Sequence, residues 1–231
     1  MVAGASHVEG LDPFEHLDVE SERVASFFES DPAWDAPTRC EGWNVRDLLG
    51  HLAAVETYHL ACLDDALGPL FEEATKEGVS GLDSFNDWGV AIRKDLPTAD
   101  VLAEWRKKNL DVRRGMRERG RDGSMASSIG PYPVGLMAFH VASEYATHAD
   151  DLSIAIGEAE RADRTAWRLQ ISLFALEENE KPAQLAREGA TWNVRAGDKQ
   201  VTLTDAELVE AVTGRLARLD PELKEALRAL A

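Results

Sequence analysis

The sequence predicts a mainly α protein, an antiparallel helical bundle followed by a small α+β module. Apolar residues recur every three to four positions through the first three quarters of the chain, the period of a helix with one buried face. After Lys181-Pro182 the texture changes to short alternating runs separated by turn residues. The 231 residues suffice for a principal domain with a smaller appendage, expected at 1–180 and 181–231.

Phe14, Leu17, Val24, Phe27 and Phe28 mark a first helix that ends near Ser30, where DPAWDAPT breaks the pattern. A second helix opens after Asn44, a residue that can cap it, and carries Val45, Leu48, Leu52, Val55, His59 and Cys62 on one side. Its end is expected around Leu67-Gly68-Pro69. Residues 72–98 are less regular, with room for a short helix in SFNDWGVAIRKDL. Residues 99–120 read as a long charged helix anchored by Leu102, Trp105, Leu110, Val112 and Met116. The loop RDGSMASSIGPYP leads into a helix over 134–156 that Gly157 should stop, and another is expected over 161–178. Thr191-Trp192-Asn193-Val194-Arg195 and Gln200-Val201-Thr202-Leu203 alternate like strands about the turn Ala196-Gly197-Asp198-Lys199. Thr204-Asp205-Ala206-Glu207 then resembles a helix start, with Leu208, Val212 and Leu216 behind it.

Composition narrows the function classes. Lys and Arg number 25 against 42 Asp and Glu, and the net charge of -17 argues against nucleic acid and anionic membrane as partners. A small anionic substrate stays open, because a few local cations outweigh a distant field. The two cysteines, Cys40 and Cys62, are too few for a disulfide framework. The first residues lack the basic and apolar segments of a secretion signal, and no apolar run reaches membrane-spanning length, so a cytoplasmic setting is expected.

The segment FHVASEYATHADDL concentrates ionisable groups. At about 100° per residue, His140 and His148 lie about 40° to either side of Glu144, and Asp151 about 20° away. Met137, Val141, Leu152 and Ala155 share that face, so the stripe is expected to point into the bundle. A buried carboxylate needs a cation or several donors. Glu144 and His148 can converge on one ion from adjacent turns, and a third ligand must come from another helix, with His51 the foremost candidate. His59 lies about 12 Å further along that helix. From the residues alone, satisfied polar core groups or a solvated helix face are the favoured account of the stripe, ahead of a metal. The order and spacing exclude a His-Glu-x-x-His zinc motif, and Glu56-Thr57-Tyr58-His59 supplies just one of the two Glu-x-x-His motifs of a di-iron bundle.

Two segments together carry a family resemblance. PTRCEGWNVRDLLGHL, at 37–52, and EYATHADDL, at 144–152, resemble the signatures of the mycothiol-dependent maleylpyruvate isomerase family, within the DinB-like metalloenzyme superfamily. The resemblance implies a DinB-like antiparallel four-helix bundle with zinc held by His51, Glu144 and His148. It leaves His140 and Asp151 as neighbours of the ligands, with Asp151 suited to orient one of them. Val212-Thr213-Gly214-Arg215 resembles the family's C-terminal segment in which an arginine handles substrate, so Arg215 is the expected catalytic residue there. Cys40, although part of the signature, is expected to be a structural cysteine.

Three protein ligands leave a coordination position open, as in catalytic zinc sites. The resemblance implies that mycothiol takes it as the thiol cosubstrate and that its activated sulfur attacks a small electrophile, which can be anionic. Expulsion of the thiol after bond rotation makes an isomerase, and retention makes an S-transferase. The alternative class is a helical bundle that binds a metal or small molecule without turnover.

Overall fold

The computed structural model describes residues 2–230. The chain is mainly helical and divides into two compact units, Pro13–Ile154 and a second formed by Met1–Asp12 with Ala155–Ala231.

The first unit holds α1 (Pro13–Glu29), α2 (Val45–Leu63), α3 (Leu67–Lys76), α4 (Leu82–Ala91), α5 (Thr98–Arg119) and α6 (Val134–Asp151). The bundle is built from α1 against α6, α2 against α5, and α5 against both α1 and α6, with α4 laid on α2. Leu17, Val24 and Phe28 of α1, Leu48, Leu49 and Leu52 of α2, Trp105 and Met116 of α5 and Phe139, Ala142 and Ala146 of α6 are buried in its core. Two short strands, β1 (Ser124–Met125) and β2 (Tyr132–Pro133), pair antiparallel in the loop before α6.

Asn44 caps α2 as expected. Its side chain accepts from the Asp47 backbone N–H while the Asp47 carboxylate takes the Asn44 N–H, a reciprocal box that satisfies two donors at the helix start. Three expectations are corrected here. Helix α2 ends at Leu63, because Asp65 adopts φ 54 and Ala66 N–H closes on Ala61 O at 2.8 Å; Leu67-Gly68-Pro69 instead opens α3. Helix α6 stops at Asp151, where Ser153 at φ 57 gives the bonds Ser153 N–H to Asp150 O and Ile154 N–H to Ala149 O. Gly157 therefore precedes the next helix as its N-cap. In α5, Leu110 is 44% exposed and Asn109 is buried in its stead, because the Asn109 amide serves a polar network in the core.

The second unit contains a 3-10 turn at Ala5–Val8, α7 (Glu158–Glu178), a sheet of β3 (Gln184–Glu188), β4 (Thr191–Ala196) and β5 (Lys199–Thr204), then α8 (Asp205–Val212) and α9 (Pro221–Leu227). The sheet is antiparallel in the order β3-β4-β5. Gly197 turns the β4–β5 hairpin at φ 55, a conformation that suits a residue without Cβ. A Thr204–Glu207 capping box starts α8. The compact units thus part between Ile154 and Ala155, while the change of texture near 181 marks the approach to β3; α7 packs against α8 and the 3-10 turn and so belongs with the C-terminal unit.

Candidate metal centre

Two helices supply the centre. Helix α2 contributes His51 from its second turn, which the Asn44 cap places after the loop of residues 37–44. Helix α6 contributes Glu144 and His148 from successive turns of one face. Donor atoms of His51, Glu144 and His148 all lie within 4.8 Å of one another. His51 Nε2 stands 3.3 Å from Glu144 Oε1, and the two imidazole rings meet edge to face with centroids 5.0 Å apart. Ligands about 2.0–2.1 Å from a tetrahedral ion stand about 3.4 Å apart, so two imidazoles and one carboxylate at this spacing fit a divalent cation such as zinc.

The electrostatics favour a positive charge at this point. Burial opposes the Glu144 carboxylate, but the imidazoles of His51, His148 and His59 outweigh it and hold its pKa below the ordinary value. Burial likewise pulls the His148 pKa down; hydrogen bonds to Asp151 and Cys40, with the charge of Glu144, reverse the sign and push it up to about 9. His148 and His51 are each 3% exposed, whereas the Glu144 side chain keeps 19% of its surface, so the carboxylate marks the more open side of the trio.

Asp151 lies where it can orient a ligand. Its Oδ2 is 3.1 Å from His148 Nδ1, a contact that leaves Nε2 of that ring as the lone-pair donor. His140 Nε2 lies 3.1 Å from the Tyr132 hydroxyl of β2. Arg215 belongs to the C-terminal unit, where it is half-buried just after α8 and donates to Thr213 O at 3.0 Å.

Two features escaped the sequence. The Cys40 thiol, expected to be structural, donates to Asp151 Oδ2 at 3.2 Å and stands 3.9 Å from His148 Nδ1. Its place in the signature just before α2 was the available signal. Deeper in the bundle, Trp105 Nε1 donates to the Tyr145 hydroxyl at 2.9 Å, Tyr145 donates to Glu56 Oε1, and Asn109 Nδ2 donates to the same carboxylate oxygen at 2.7 Å. No spacing rule predicts that network, because its members come from three helices.

Two of the helices of this bundle gather two imidazoles and a carboxylate, a group of side chains that could hold a metal ion. Residues 17–153 match the family model of the mycothiol maleylpyruvate isomerase N-terminal domain, and the chain belongs to that family. Membership associates it with mycothiol and with isomerase-type enzyme function. No curated relative and no solved structure matches the chain. No helix among the described residues is long and apolar enough to cross a membrane.

Proposed function

We propose that this protein is a metal-dependent, mycothiol-using enzyme that activates a thiol for addition to a small electrophilic substrate in the cytoplasm. The observation that carries this reading is the convergence of His51, Glu144 and His148 donor atoms within 4.8 Å. His51 and His148 would each offer an imidazole nitrogen and Glu144 one carboxylate oxygen. Zinc, the first choice for this donor set, supplies a Lewis acid with an open position that lowers the pKa of a thiol. Asp151 holds the His148 ring, so that its lone pair stays aligned. Arg215 is assigned to the recognition of a substrate carboxylate. Addition followed by bond rotation and expulsion of the thiol gives cis-trans isomerisation of a substrate such as maleylpyruvate; retention of the thiol gives S-transfer.

The test has two parts. His51→Ala, Glu144→Ala and His148→Ala should each lower zinc affinity by more than about 100-fold, beyond the range typical of outer-shell changes. Undiminished binding in all three would sink the ligand assignment. Metal-loaded protein is then incubated with mycothiol and a panel of electrophiles that includes maleylpyruvate, and the products are weighed by mass spectrometry. Product of unchanged mass but altered geometry identifies an isomerase, and product heavier by the thiol identifies a transferase. Metal binding with neither product would leave a non-catalytic binding bundle.

A further inference from the structure

Residues 37–44 form a loop that touches both imidazoles of the candidate centre. Trp43 packs on His51 with ring centroids 5.0 Å apart. Half-buried Cys40 reaches the His148 side through Asp151, which is 1% exposed. The loop is closed on itself: Trp43 N–H donates to Cys40 O at 3.1 Å across a turn in which Gly42 takes φ 82. Thr38 Oγ1 accepts from Cys40 N–H at 3.1 Å and donates to Trp43 O at 2.8 Å. Arg39 N–H donates to Asp151 O at 3.1 Å, tying the loop backbone to the end of α6.

The thiol occupies a particular place in this arrangement. Oδ2 of Asp151 accepts from Cys40 Sγ at 3.2 Å and is the same oxygen that meets His148 Nδ1 at 3.1 Å. A carboxylate turns about its Cβ–Cγ bond, a soft and broad torsion. A donor arriving from a loop with a pinned backbone narrows that rotation and keeps Oδ2 in line with the ring.

We infer that the loop of residues 37–44 is an orienting clamp for the centre and that Cys40 is its positioning residue, its S–H holding Asp151 Oδ2 and Asp151 in turn fixing the His148 ring. The inference rests on His51, Glu144 and His148 being the metal ligands. It assigns the sulfur to Asp151 and not to the metal, although Cys40, His148 and Asp151 also present donor atoms within 4.8 Å of one another.

Cobalt(II) reports on both points, because its affinity measures ring orientation and its spectrum reveals a coordinated sulfur. Metal-free wild type, Cys40→Ser and Cys40→Ala are titrated with cobalt(II), with thermal melts of the metal-free forms as a folding control. Serine keeps an O–H donor at this position and alanine removes it. Cys40→Ala should bind about tenfold more weakly, the lower end of the range for outer-shell partners, and Cys40→Ser should stay within about threefold of wild type. Wild type should show no sulfur-to-cobalt charge-transfer band. Equal binding by wild type and Cys40→Ala, or Cys40→Ser as weak as Cys40→Ala, overturns the positioning role. A charge-transfer band that both variants lose makes Cys40 a ligand and also overturns it. Wild type that binds no cobalt refutes the metal reading itself, and the clamp with it.

Discussion

Glu56 shows at the scale of one residue what the interior of the bundle imposes. It is fully buried; its Oε1 takes hydrogens from Tyr145 and Asn109, while Oε2 has no hydrogen-bond partner and stands 3.9 Å from His59 Nδ1. Burial raises its pKa to about 7, against the Tyr145 and Asn109 hydrogen bonds and the charge of Arg113, and with help from Glu144. Burial drives His59 the other way, to about 4, with Glu144 opposing and His140 adding to the fall. A carboxyl whose folded pKa exceeds its unfolded value contributes stability that is complete below pH 4.5 and is lost as the pH rises through about 7. The shift corresponds to roughly 3 kcal/mol at high pH. Glu56→Gln, neutral throughout and able to donate toward His59, should therefore gain on metal-free wild type as pH rises from 5 to 8. Urea unfolding at several pH values checks this, and a difference that does not change with pH would rule out the shift.

The candidate ligands and Glu56 differ in how far the sequence exposes them. The i, i+4 spacing of Glu144 and His148 shows on any helical wheel, and His51 stands in a recognisable signature. Glu56-x-x-His59 is just as visible, but its complete burial and its Tyr145 and Asn109 donors depend on α5 and α6, and spacing along α2 carries no information about them.

At the scale of elements, helix starts were more legible than helix ends. Asn44 and Thr204 are good capping residues with an acid three positions on, and both make the reciprocal box. Helices α2 and α6 end earlier than their apolar spacing predicts because Asp65 and Ser153 take the left-handed position that glycine usually fills. Close approach of α4 to α2 was equally hidden. A Cβ on Gly89 would lie 2.4 Å from Ala54 Cβ, one turn along from His51, so the glycine is required by packing and not by its backbone. Gly89→Ala should cost about 1–3 kcal/mol despite its better helix propensity. Ala54→Gly in the same chain should return part of that loss. Denaturant midpoints of the single and double variants measure both, and a Gly89→Ala protein as stable as wild type would show that the helices can part freely.

At the scale of the whole molecule, the candidate ligands and Arg215 fall in different compact units. The roles proposed for the three ligands and for Arg215 can therefore be tested by separate mutations. Arg215→Ala should leave zinc affinity within about twofold of wild type, since it removes none of the three candidate ligands. With an identified anionic substrate it should raise KM or lower turnover; unchanged kinetics would end its assigned role.

The sequence by itself determined the helical and strand periods, the capping residues and the chemical types available for a site, because each rests on interactions within a few residues. It also carried the signature by which residues 17–153 match their family. Tertiary structure decided the rest: that α2 and α6 bring His51 to Glu144 and His148, that α5 closes a polar network on Glu56, and that a loop sets the Cys40 thiol against Asp151. Those contacts join residues far apart in the chain, and burial of the apolar helix faces brings them together.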